Sequence, residues 1–476
     1  MNYDSDFAMT IDGKPVSGAG TLDVVNPATG AVFAQAPDCS RAQLDDAVAA
    51  ARRAFPAWAA TPIEDRRARL IAAADAMLAH IDGLSQLLTR EQGKPLADAR
   101  LEIQAASMFL RNTASFDLPV RINEQTAERT SETRRVPIGV VGAIAPWNFP
   151  IMLAMLKFGP SLLTGNTLVL KPSPLTPLST LKLGEIFRDL LPAGVFNIIV
   201  GGDDVGPWLT EHPGIDKVSF TGSTQTGRRV MRSAADTLKR VTLELGGNDP
   251  AIVLGDIDVD AMAEKLFWAA FRNNGQVCIA TKRMYVHRDV YEPLKKALVA
   301  YARSVKVGDG SQQGTRLGPV QNRAQYERVI GLIDDAKAQG YDLLTGGDDA
   351  ANGPGYFVPV TIIDNPPEDS RIVQEEQFGP ILPLLPFDDI EDAIERANAS
   401  EYGLAASVWS ADEEQALAIA QRIKSGTVWV NETQYLSAFA AFCGHRQSGV
   451  GIESGEDGLL EYTLTQTVVV KRDGAR

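Results

Sequence analysis

Short apolar runs alternate with amphipathic helical stretches along most of this chain, and this alternation constrains the fold more than any other feature. The segment 176–191 (TPLSTLKLGEIFRDLL) is one of the helical stretches between the runs. Apolar runs separated by helices are typical of parallel strands that are buried on both faces of an α/β sheet. The strand candidates of this series are VVGAIA (140–145), TLVLK (167–171), FNIIV (196–200), KVSF (217–220) and VTLEL (241–245).

A second series of the same kind follows, and it predicts a second α/β domain that faces the first across a cleft. Its strand candidates are AIVL (251–254), RMYVH (283–287), ILPLLPF (381–387), AASVW (405–409) and TVWVN (427–431). Its helical segments are 259–271, 288–304, 323–339, 388–398 and 411–424.

The segments outside the two series differ in character. The first ~35 residues predict short strands and turns, with a turn at 26–30 (NPATG), and residues 40–116 predict helices. Residues 123–135 are polar without an apolar face, which leaves a disordered loop and an exposed hairpin both open. The tail 463–472 (TLTQTVVVKR) predicts an edge strand, and a strand without a partner nearby in sequence often docks on another subunit.

Composition excludes several classes of protein. The chain has 476 residues, of which 45% are hydrophobic and 22% charged, so disordered and collagen-like chains are excluded. This length suits two or three compact units. The formal net charge of −14 argues against nucleic acid as a partner, because binding to phosphates needs a basic surface. A small anionic ligand held by local backbone donors remains compatible with that charge.

Cysteine spacing and hydropathy indicate the compartment. Cys39, Cys278 and Cys443 are the three cysteines and none has CxxC spacing, so we expect no disulfide framework, no metal site and a reducing compartment. The first 16 residues carry early acids and no apolar core, so no signal peptide is predicted. Residues 136–156 form an uncharged stretch of 21 residues, but its three prolines fit a protein interior better than lipid. We therefore expect a soluble cytoplasmic protein without a membrane partner.

The segment 220–227 (FTGSTQTG) is a candidate phosphate turn between a strand and a helix. Its small residues allow close approach of a ligand to the backbone, and the following helix offers free N–H groups. The spacing is GxxxxG and not the GxGxxG dinucleotide fingerprint. An ordinary turn in which Ser and Thr cap the helix is an equally good interpretation of this segment alone.

Two further residues could carry chemistry. Glu244 ends a strand made otherwise of apolar residues, where a carboxylate is costly unless it is paired or acts as a general base; a structural salt bridge is the commoner case. Cys278 follows Gly275 in a polar stretch, where it is either a nucleophile or a small buried apolar residue. Cys39 and Cys443 lack such a setting and are interpreted as structural.

Two more residues lie at predicted strand ends. Asn148 is the amide side chain in the turn PWNFP, and a buried amide there must form hydrogen bonds, oxyanion stabilisation being one option. Lys171 closes its strand in LKPSP, at the carboxyl edge where open α/β sheets bind ligands. Together with 220–227, Glu244 and Cys278, they would supply a nucleophile, a base, an oxyanion donor and a phosphate turn.

Seven segments occur in a characteristic order: PWNFP, LKPSP, FTGSTQTG, VTLELGG, GQVC, EEQFGP (375–380) and VWVN. In that order and approximate spacing the chain resembles the aldehyde dehydrogenase superfamily, from residue 26 to the tail. The resemblance implies an α/β fold with a Rossmann-type dinucleotide-binding domain, a catalytic domain and a β oligomerisation element. The implied bounds are 1–116 and 138–245, then 246–445, then 117–137 and 446–476, and a homodimer or homotetramer is expected.

The resemblance also implies residue roles. Cys278 resembles the catalytic thiol, which forms a thiohemiacetal and then a thioester. Asn148 and the backbone N–H of Cys278 resemble the oxyanion hole, and Glu244 resembles the base that activates water. The implied contacts to NAD or NADP include Lys171 on the adenosine ribose, Ser223 on the pyrophosphate, and Glu376 and Phe378 on the nicotinamide ribose and ring. The remaining expected cofactor contacts are Trp147, Ser173, Gly222 and Gly227.

The sequence departs from the family pattern in two places. Pro174 stands where many NAD-preferring members have a Glu that chelates the ribose hydroxyls, so NAD is favoured only slightly and NADP stays open. Cys443 stands where Gly is usual, and its side chain is expected to narrow the substrate tunnel slightly.

Matching also predicts an apolar substrate tunnel and hence an aliphatic or aromatic aldehyde as substrate. A semialdehyde would require a guanidinium clamp; the predicted tunnel positions hold no Arg or Lys, although Arg111 or Arg446 could still reach in. Further alternatives are a CoA-acylating dehydrogenase, disfavoured by Glu244, and a non-catalytic protein on the same fold. The predicted tunnel residues are Phe149, Leu153, Leu156, Val277, Ile279, Leu436 and Phe442.

Overall fold

The computed structural model describes residues 1–347 and 354–472, and the chain begins with two β-hairpins and four helices. Ser40 starts the first helix with a capping box, in which its hydroxyl accepts the Gln43 N–H and the Gln43 side chain accepts the Ser40 N–H. The hairpin strands are β1 (Met9–Ile11), β2 (Lys14–Val16), β3 (Gly20–Asn26) and β4 (Ala31–Asp38). The helices are α1 (Arg41–Ala60), α2 (Ile63–Ala79), α3 (Ile81–Gln92) and α4 (Leu96–Thr113).

A polar hairpin follows and joins the C-terminal strand. Its strands are β5 (Arg121–Gln125) and β6 (Arg129–Pro137), and β6 pairs antiparallel with the last strand, Thr463–Lys471, along that strand's whole length. Of the two alternatives for 123–135, the exposed hairpin is therefore right. The tail finds its partner within its own chain.

The first apolar series forms a sheet whose parallel strands run in the order β11-β10-β7-β8-β9. The hairpin β1–β2 extends the β9 edge, and Gly449–Val450 pairs antiparallel with β11 at the other edge. The strands are β7 (Val140–Ile144), β8 (Thr167–Lys171), β9 (Phe196–Ile198), β10 (Lys217–Thr221) and β11 (Arg240–Glu244). The helices between them are α5 (Pro150–Leu163), α6 (Leu178–Phe187), α7 (Val205–Glu211) and α8 (Thr224–Ala235).

The second series forms a separate sheet in the order β14-β15-β16-β13-β12-β17-β18, parallel except for β14. Its strands are β12 (Asp249–Val253), β13 (Thr281–His287), β14 (Asp342–Thr345), β15 (Thr361–Asp364), β16 (Ile381–Phe387), β17 (Ala405–Trp409) and β18 (Thr427–Val430). The helices of this series are α9 (Val259–Phe271), α10 (Arg288–Ser304), α11 (Arg323–Ala338), α12 (Arg371–Gln374), α13 (Ile390–Asn398) and α14 (Glu413–Ala420). A last short helix, α15 (Gly455–Leu460), contacts α5 of the first series. The chain closes with β19 (Gly449–Val450) and β20 (Thr463–Lys471).

The prediction of two α/β sheets is confirmed, and each predicted strand coincides with an observed one to within a few residues. The antiparallel pair β14–β15 was not predicted. The domain bounds given above remain a prediction, and their residues 348–353 and 473–476 lie outside the described residues. Among the described residues, none of the helices has both the length and the apolar composition that a membrane span requires.

Candidate active site

The topology of the first sheet selects the place for a ligand. From β7 the chain moves outward to β8 and β9, and then returns to the other side of β7 with β10 and β11. In open α/β sheets, ligands bind at the carboxyl ends of the strands where the order reverses in this way. The PWNFP turn follows β7 and the FTGSTQTG turn follows β10, so both candidate turns lie at this point.

One cleft of about 460 Å³ joins these turns to the second sheet, and its volume is in the range of small-molecule and cofactor sites. Its lining includes several predicted site residues from both halves of the chain. These are Trp147, Asn148, Leu153, Gly222, Ser223, Cys278, Glu376 and Phe378.

Cys278 lies in a constrained loop between α9 and β13. The preceding Asn273, Asn274 and Gly275 all have positive φ, of 49°, 60° and 73°, which is costly for the two asparagines and marks an over-determined loop. A Cβ at Gly275 would lie 2.1 Å from the Gly379 carbonyl oxygen, so only Gly allows this close approach. Burial raises the pKa of the Cys278 thiol to about 12.

Three hydrogen bonds fix Asn148, which lines the same cleft as Cys278. Its Nδ2 donates to the Gln276 carbonyl at 3.0 Å, and its own carbonyl accepts from Lys94 Nζ at 3.0 Å and from Asn273 Nδ2 at 3.2 Å. An amide nitrogen carries two hydrogens, so the Gln276 bond fixes the plane and leaves one N–H for a ligand. The backbone N–H of Cys278 also has no backbone partner among the described residues.

Glu244 is buried, and neither carboxylate oxygen has a hydrogen-bond partner among the described residues. Its pKa lies well above the ordinary value because of burial first and then the nearby Glu453 carboxylate, while Lys157 acts in the opposite direction. Lys157 Nζ bonds Glu453 Oε1 at 2.6 Å and Thr221 Oγ1 at 2.8 Å. The carboxylate expected from the sequence to act as a base is thus bare and set beside a buried ion pair.

The candidates for nicotinamide contacts line the same cleft as Cys278 and Asn148. Trp147 and Phe378 meet edge to face with ring centroids 5.4 Å apart, and Phe378 has a φ of 49°, unusual for a bulky residue. Glu376 Oε1 accepts the Gly247 N–H at 3.1 Å, and a Cβ on Gly246 would lie 2.4 Å from Glu376 Oε2. The glycine pair therefore makes room for this carboxylate.

The candidate phosphate turn caps a helix, and three other predicted cofactor contacts are not among the residues that line the cleft: Lys171, Ser173 and Gly227. Ser223 caps α8 by accepting the Thr226 N–H. Lys171 and Ser173 follow at the end of β8, and burial lowers the pKa of Lys171 to about 8, with Asp203 and Asp38 acting in the opposite direction. Gly227 faces Leu245, where a Cβ would lie 2.4 Å from a methyl carbon; it allows helix packing and does not line the cleft.

The predicted tunnel residues separate into two apolar clusters. Phe149, Val277, Ile279 and Phe442 pack with Cys278, whereas Leu153 and Leu156 pack with Phe109, Met152 and Ala438. Leu436 is 41% exposed and belongs to neither cluster. Cys443, interpreted as structural, is half-buried. Burial raises the pKa of its thiol, and the Glu244 carboxylate raises it further.

Four buried charged residues around the site belong to none of the sequence motifs: Lys94, Lys157, Lys282 and Glu453. Lys157 gave one signal, because it is the single charge in the otherwise apolar helix α5. Within the described ranges, no group of three His, Cys, Asp or Glu side chains is placed to hold a metal ion.

A sheet with the order reversal of dinucleotide-binding proteins, and a cleft at that point lined by a thiol and an amide, indicate a class: an oxidoreductase with a dinucleotide cofactor. Comparison with known proteins gives the family. The model of the aldehyde dehydrogenase family matches residues 15–468, and the chain belongs to that family.

Relatives and solved structures agree with this assignment. A probable aldehyde dehydrogenase of a Pseudomonas species is 45% identical over 99% of this chain and 96% of its own length. A phenylacetaldehyde dehydrogenase of Pseudomonas fluorescens is 40% identical over 94% and 92% of the two chains. The NAD+ complex of an aldehyde dehydrogenase from Bacillus cereus superposes with a TM-score of 0.97 at 39% identity, covering 99% and 98%. The protein is an oxidoreductase of this family and acts on an aldehyde.

Proposed function

We propose that this enzyme oxidises an apolar aliphatic or aromatic aldehyde to its carboxylic acid through a thioester on Cys278. The observation that carries the proposal is that Cys278 and Asn148 line one cleft with Glu376 and Phe378, while the bare Glu244 carboxylate acts electrostatically on the same thiol.

In the proposed reaction, each of these groups has one role. The Cys278 thiolate adds to the aldehyde carbon, and the resulting oxyanion is stabilised by Asn148 Nδ2 and the Cys278 N–H. Loss of a hydride from that carbon leaves a thioester. When bound, the nicotinamide dinucleotide supplies the hydride acceptor. Glu244 then takes a proton from water, the water oxygen attacks the thioester carbon, the C–S bond breaks and the acid leaves.

Cys278→Ala tests the nucleophile. Aldehyde oxidation should fall by ~10³-fold or more, because no thiohemiacetal can form, while the dissociation constant for NAD stays within about twofold. Cys39→Ala is the matched control, since Cys39 is buried in a loop after β4, and it should keep its activity. Survival of oxidation in Cys278→Ala would overturn the proposed mechanism.

Two observations support the proposed substrate class: the apolar character of the predicted tunnel residues and the positions of two arginines. Both clusters of predicted tunnel residues are apolar. Arg111 pairs with Asp75 on the exposed face between α2 and α4, and Arg446 donates to the carbonyls of Asn398 and Ser400. Neither guanidinium is free to clamp a substrate carboxylate.

A panel of hexanal, benzaldehyde, phenylacetaldehyde and succinate semialdehyde tests this. We expect kcat/KM for the three apolar aldehydes to exceed that for the semialdehyde by ~10-fold or more, the scale of one unpaired charge entering an apolar site. A preference for succinate semialdehyde would overturn the substrate class and leave the Cys278 chemistry intact.

For the cofactor, we infer that NAD and NADP are both used, with NAD favoured. Pro174 cannot repel a 2′-phosphate as a Glu would, whereas the carboxylates of Asp38 and Asp203 near Lys171 disfavour one. A kcat/KM ratio above ~10³, about 4 kcal/mol, would overturn dual use. Asp203→Ala should improve NADP use several-fold, and Asp204→Ala, its neighbour at the start of α7, is the control.

Glu244 argues against a CoA-acylating enzyme, which needs no base for water. Addition of CoA to the aldehyde and NAD should yield carboxylic acid and no acyl-CoA by mass spectrometry. Acyl-CoA as the main product would favour that alternative.

A further inference from the structure

Lys282, on β13, donates all of its side-chain hydrogen bonds to the loop that carries Cys278. Its side chain is 3% exposed. Its Nζ donates to the carbonyl oxygens of Cys278 at 2.6 Å, Val277 at 3.0 Å and Ala280 at 3.3 Å. An ammonium group has three N–H donors, so all three are committed to this one loop.

Two buried carboxylates face the same ammonium from other elements. Glu376 Oε1 lies 3.7 Å from Lys282 Nζ. Asp249, on β12, accepts the Ala405 N–H through Oδ1, and its Oδ2 has no partner among the described residues. Burial raises the pKa of Asp249 to about 7 and also raises that of Glu376, while Lys282 is the leading influence that lowers both. The Lys282 ammonium therefore contacts the Cys278 loop and also favours the charged forms of the Asp249 and Glu376 carboxylates.

The charges that act on Cys278 come from four elements and differ in sign. Asp249 on β12, Glu376 after α12 and Glu244 at the end of β11 all disfavour a thiolate, and Lys282 on β13 favours one. The half-buried Cys443 is a further titratable group on the Glu244 side. Among these charges, Lys282 alone opposes burial and the three acids, so we expect its removal to make the thiolate still harder to form.

The same contacts set geometry. Because the carbonyls at 277, 278 and 280 are fixed on the Lys282 side, the loop cannot rotate its peptide planes without breaking bonds to a buried charge. The Cys278 N–H, which has no backbone partner in the described ranges, is thereby kept for the cleft.

We propose that Lys282 is a positioning residue that holds the Cys278 loop and supplies the positive charge on which the reactive thiolate depends. This rests on the proposed role of Cys278 as the nucleophile.

The test measures the thiol directly in the full-length enzyme, without aldehyde. Iodoacetamide alkylation of Cys278 is followed by peptide mass spectrometry from about pH 7 to pH 11, and the logarithm of the rate is plotted against pH, because a thiol pKa of about 12 leaves the rising part of the curve in this range. In parallel, the ultraviolet absorbance of the thiolate is titrated against a Cys278→Ala blank. Loss of access would change the alkylation rate alone, whereas loss of the charge displaces both curves along the pH axis.

Lys282→Met should displace both curves upward by at least about one pH unit, which is ~10-fold slower alkylation at a fixed pH below the midpoint. Lys282→Arg, which keeps the charge, should displace them by less than about half a unit. The matched control is Lys182→Met, because Lys182 is a buried lysine on α6 that pairs with Glu185, away from the loop. It should leave both curves in place.

If Lys282→Met does not fold, the comparison of Lys282→Met/Asp249→Asn with Asp249→Asn isolates the lysine in a charge-balanced background. Curves that coincide in this pair, or an equal displacement in Lys182→Met, would overturn the proposal. A failure of Cys278 as nucleophile is separate, because it appears as aldehyde oxidation that survives in Cys278→Ala.

Discussion

At the scale of single residues, Glu244 combines a chemical use with a cost to the fold. A carboxylate that is buried without hydrogen bonds is destabilised in its charged form, and here a second acid, Glu453, adds to that effect. The same destabilisation makes the ionised group a stronger base toward water. Activity and stability are therefore expected to respond to Glu244 in opposite directions.

Glu244→Gln should separate the two half-reactions. The first turnover should yield a burst of NADH equal to the enzyme concentration, and steady turnover should then fall by ~10²–10⁴-fold, because the thioester lacks its base. In the parent enzyme the steady rate should rise with pH through the raised pKa of Glu244, and in the variant this rise should be absent. Stopped-flow absorbance measures both. A variant without a burst would place Glu244 before the thioester.

The same substitution should stabilise the fold at high pH. The pKa of Glu244 is higher in the folded state than in the unfolded state, so the folded state binds the proton more tightly. The free energy of unfolding therefore falls as the pH rises from the unfolded pKa to the folded pKa of this group. Glu244→Gln removes this loss, so we expect its Tm to exceed the parent's by about 1–2 °C at about pH 8, with a smaller gap at about pH 5. Glu413→Gln, an exposed acid on α14, should leave Tm unchanged at both pH values. A gap that widens toward low pH would contradict the sign.

Whether a site residue can be predicted from the sequence depends on how unusual its residue type is at that position. Cys278, Glu244 and Asn148 stood out because each is unusual where it occurs, in a polar loop, at a buried strand end and in a proline-flanked turn. Lys94 and Lys282 did not, since a lysine in sequence normally predicts a solvated surface. Their burial arises only when distant elements close over them, and no local pattern records that.

At the scale of elements, one carboxylate joins two helices to the oxyanion candidate. Glu102, on α4, accepts the Ile151 and Met152 N–H groups of α5 at 2.9 and 3.1 Å through Oε1. Its Oε2 lies 2.5 Å from Lys94 Nζ, which donates to the Asn148 carbonyl. Both side chains are almost fully buried. The helix pair and the PWNFP turn are thereby fixed by a single ion pair.

Glu102→Gln should lower kcat/KM by ~10–100-fold, because Lys94 loses its counter-charge and Asn148 its fixed position. In an Asn148→Ala background the same change should cost less than about threefold, since the group it positions is already absent. Glu91→Gln is the matched control: Glu91 caps α6 in the same way, through the Leu178 and Ser179 N–H groups, and should reduce Tm without the loss in kcat/KM. Additive losses in the two backgrounds would show that Glu102 acts elsewhere.

Element prediction was most accurate where the periodicity is long. Helices α9 and α10 have the predicted bounds, because thirteen and seventeen residues establish an amphipathic pattern. The strands β14 and β15 have four residues each, too few to show a period, and their pairing depends on a neighbour that only the fold supplies. Local sequence leaves a loop and a hairpin both open at 123–135 for the same reason, since the third strand of this sheet lies more than 300 residues away.

At the scale of the whole molecule, the sheet β5–β6–β20 stands apart from both large sheets and leaves the outer edge of β20 without a partner strand in the described ranges. Val469 and Val470 on that strand are 61% and 52% exposed, and Ile122 on β5 is 53% exposed. Open edges and exposed β-branched residues favour pairing with another chain. We propose that this sheet is the oligomerisation element of a homodimer or homotetramer.

Light scattering after size exclusion tests the proposal, with 51.3 kDa expected for one chain. The parent should elute at two or four times that mass, and the assembly should persist at high salt, because a net charge of −14 per chain opposes association and salt screens that repulsion. Val469→Glu/Val470→Glu should shift the protein toward monomer, since it places two more acids at the edge that pairs. Val32→Glu is the matched control, because Val32 is 50% exposed on β4 of a different hairpin. A monomeric parent, or dissociation by Val32→Glu, would contradict the assignment.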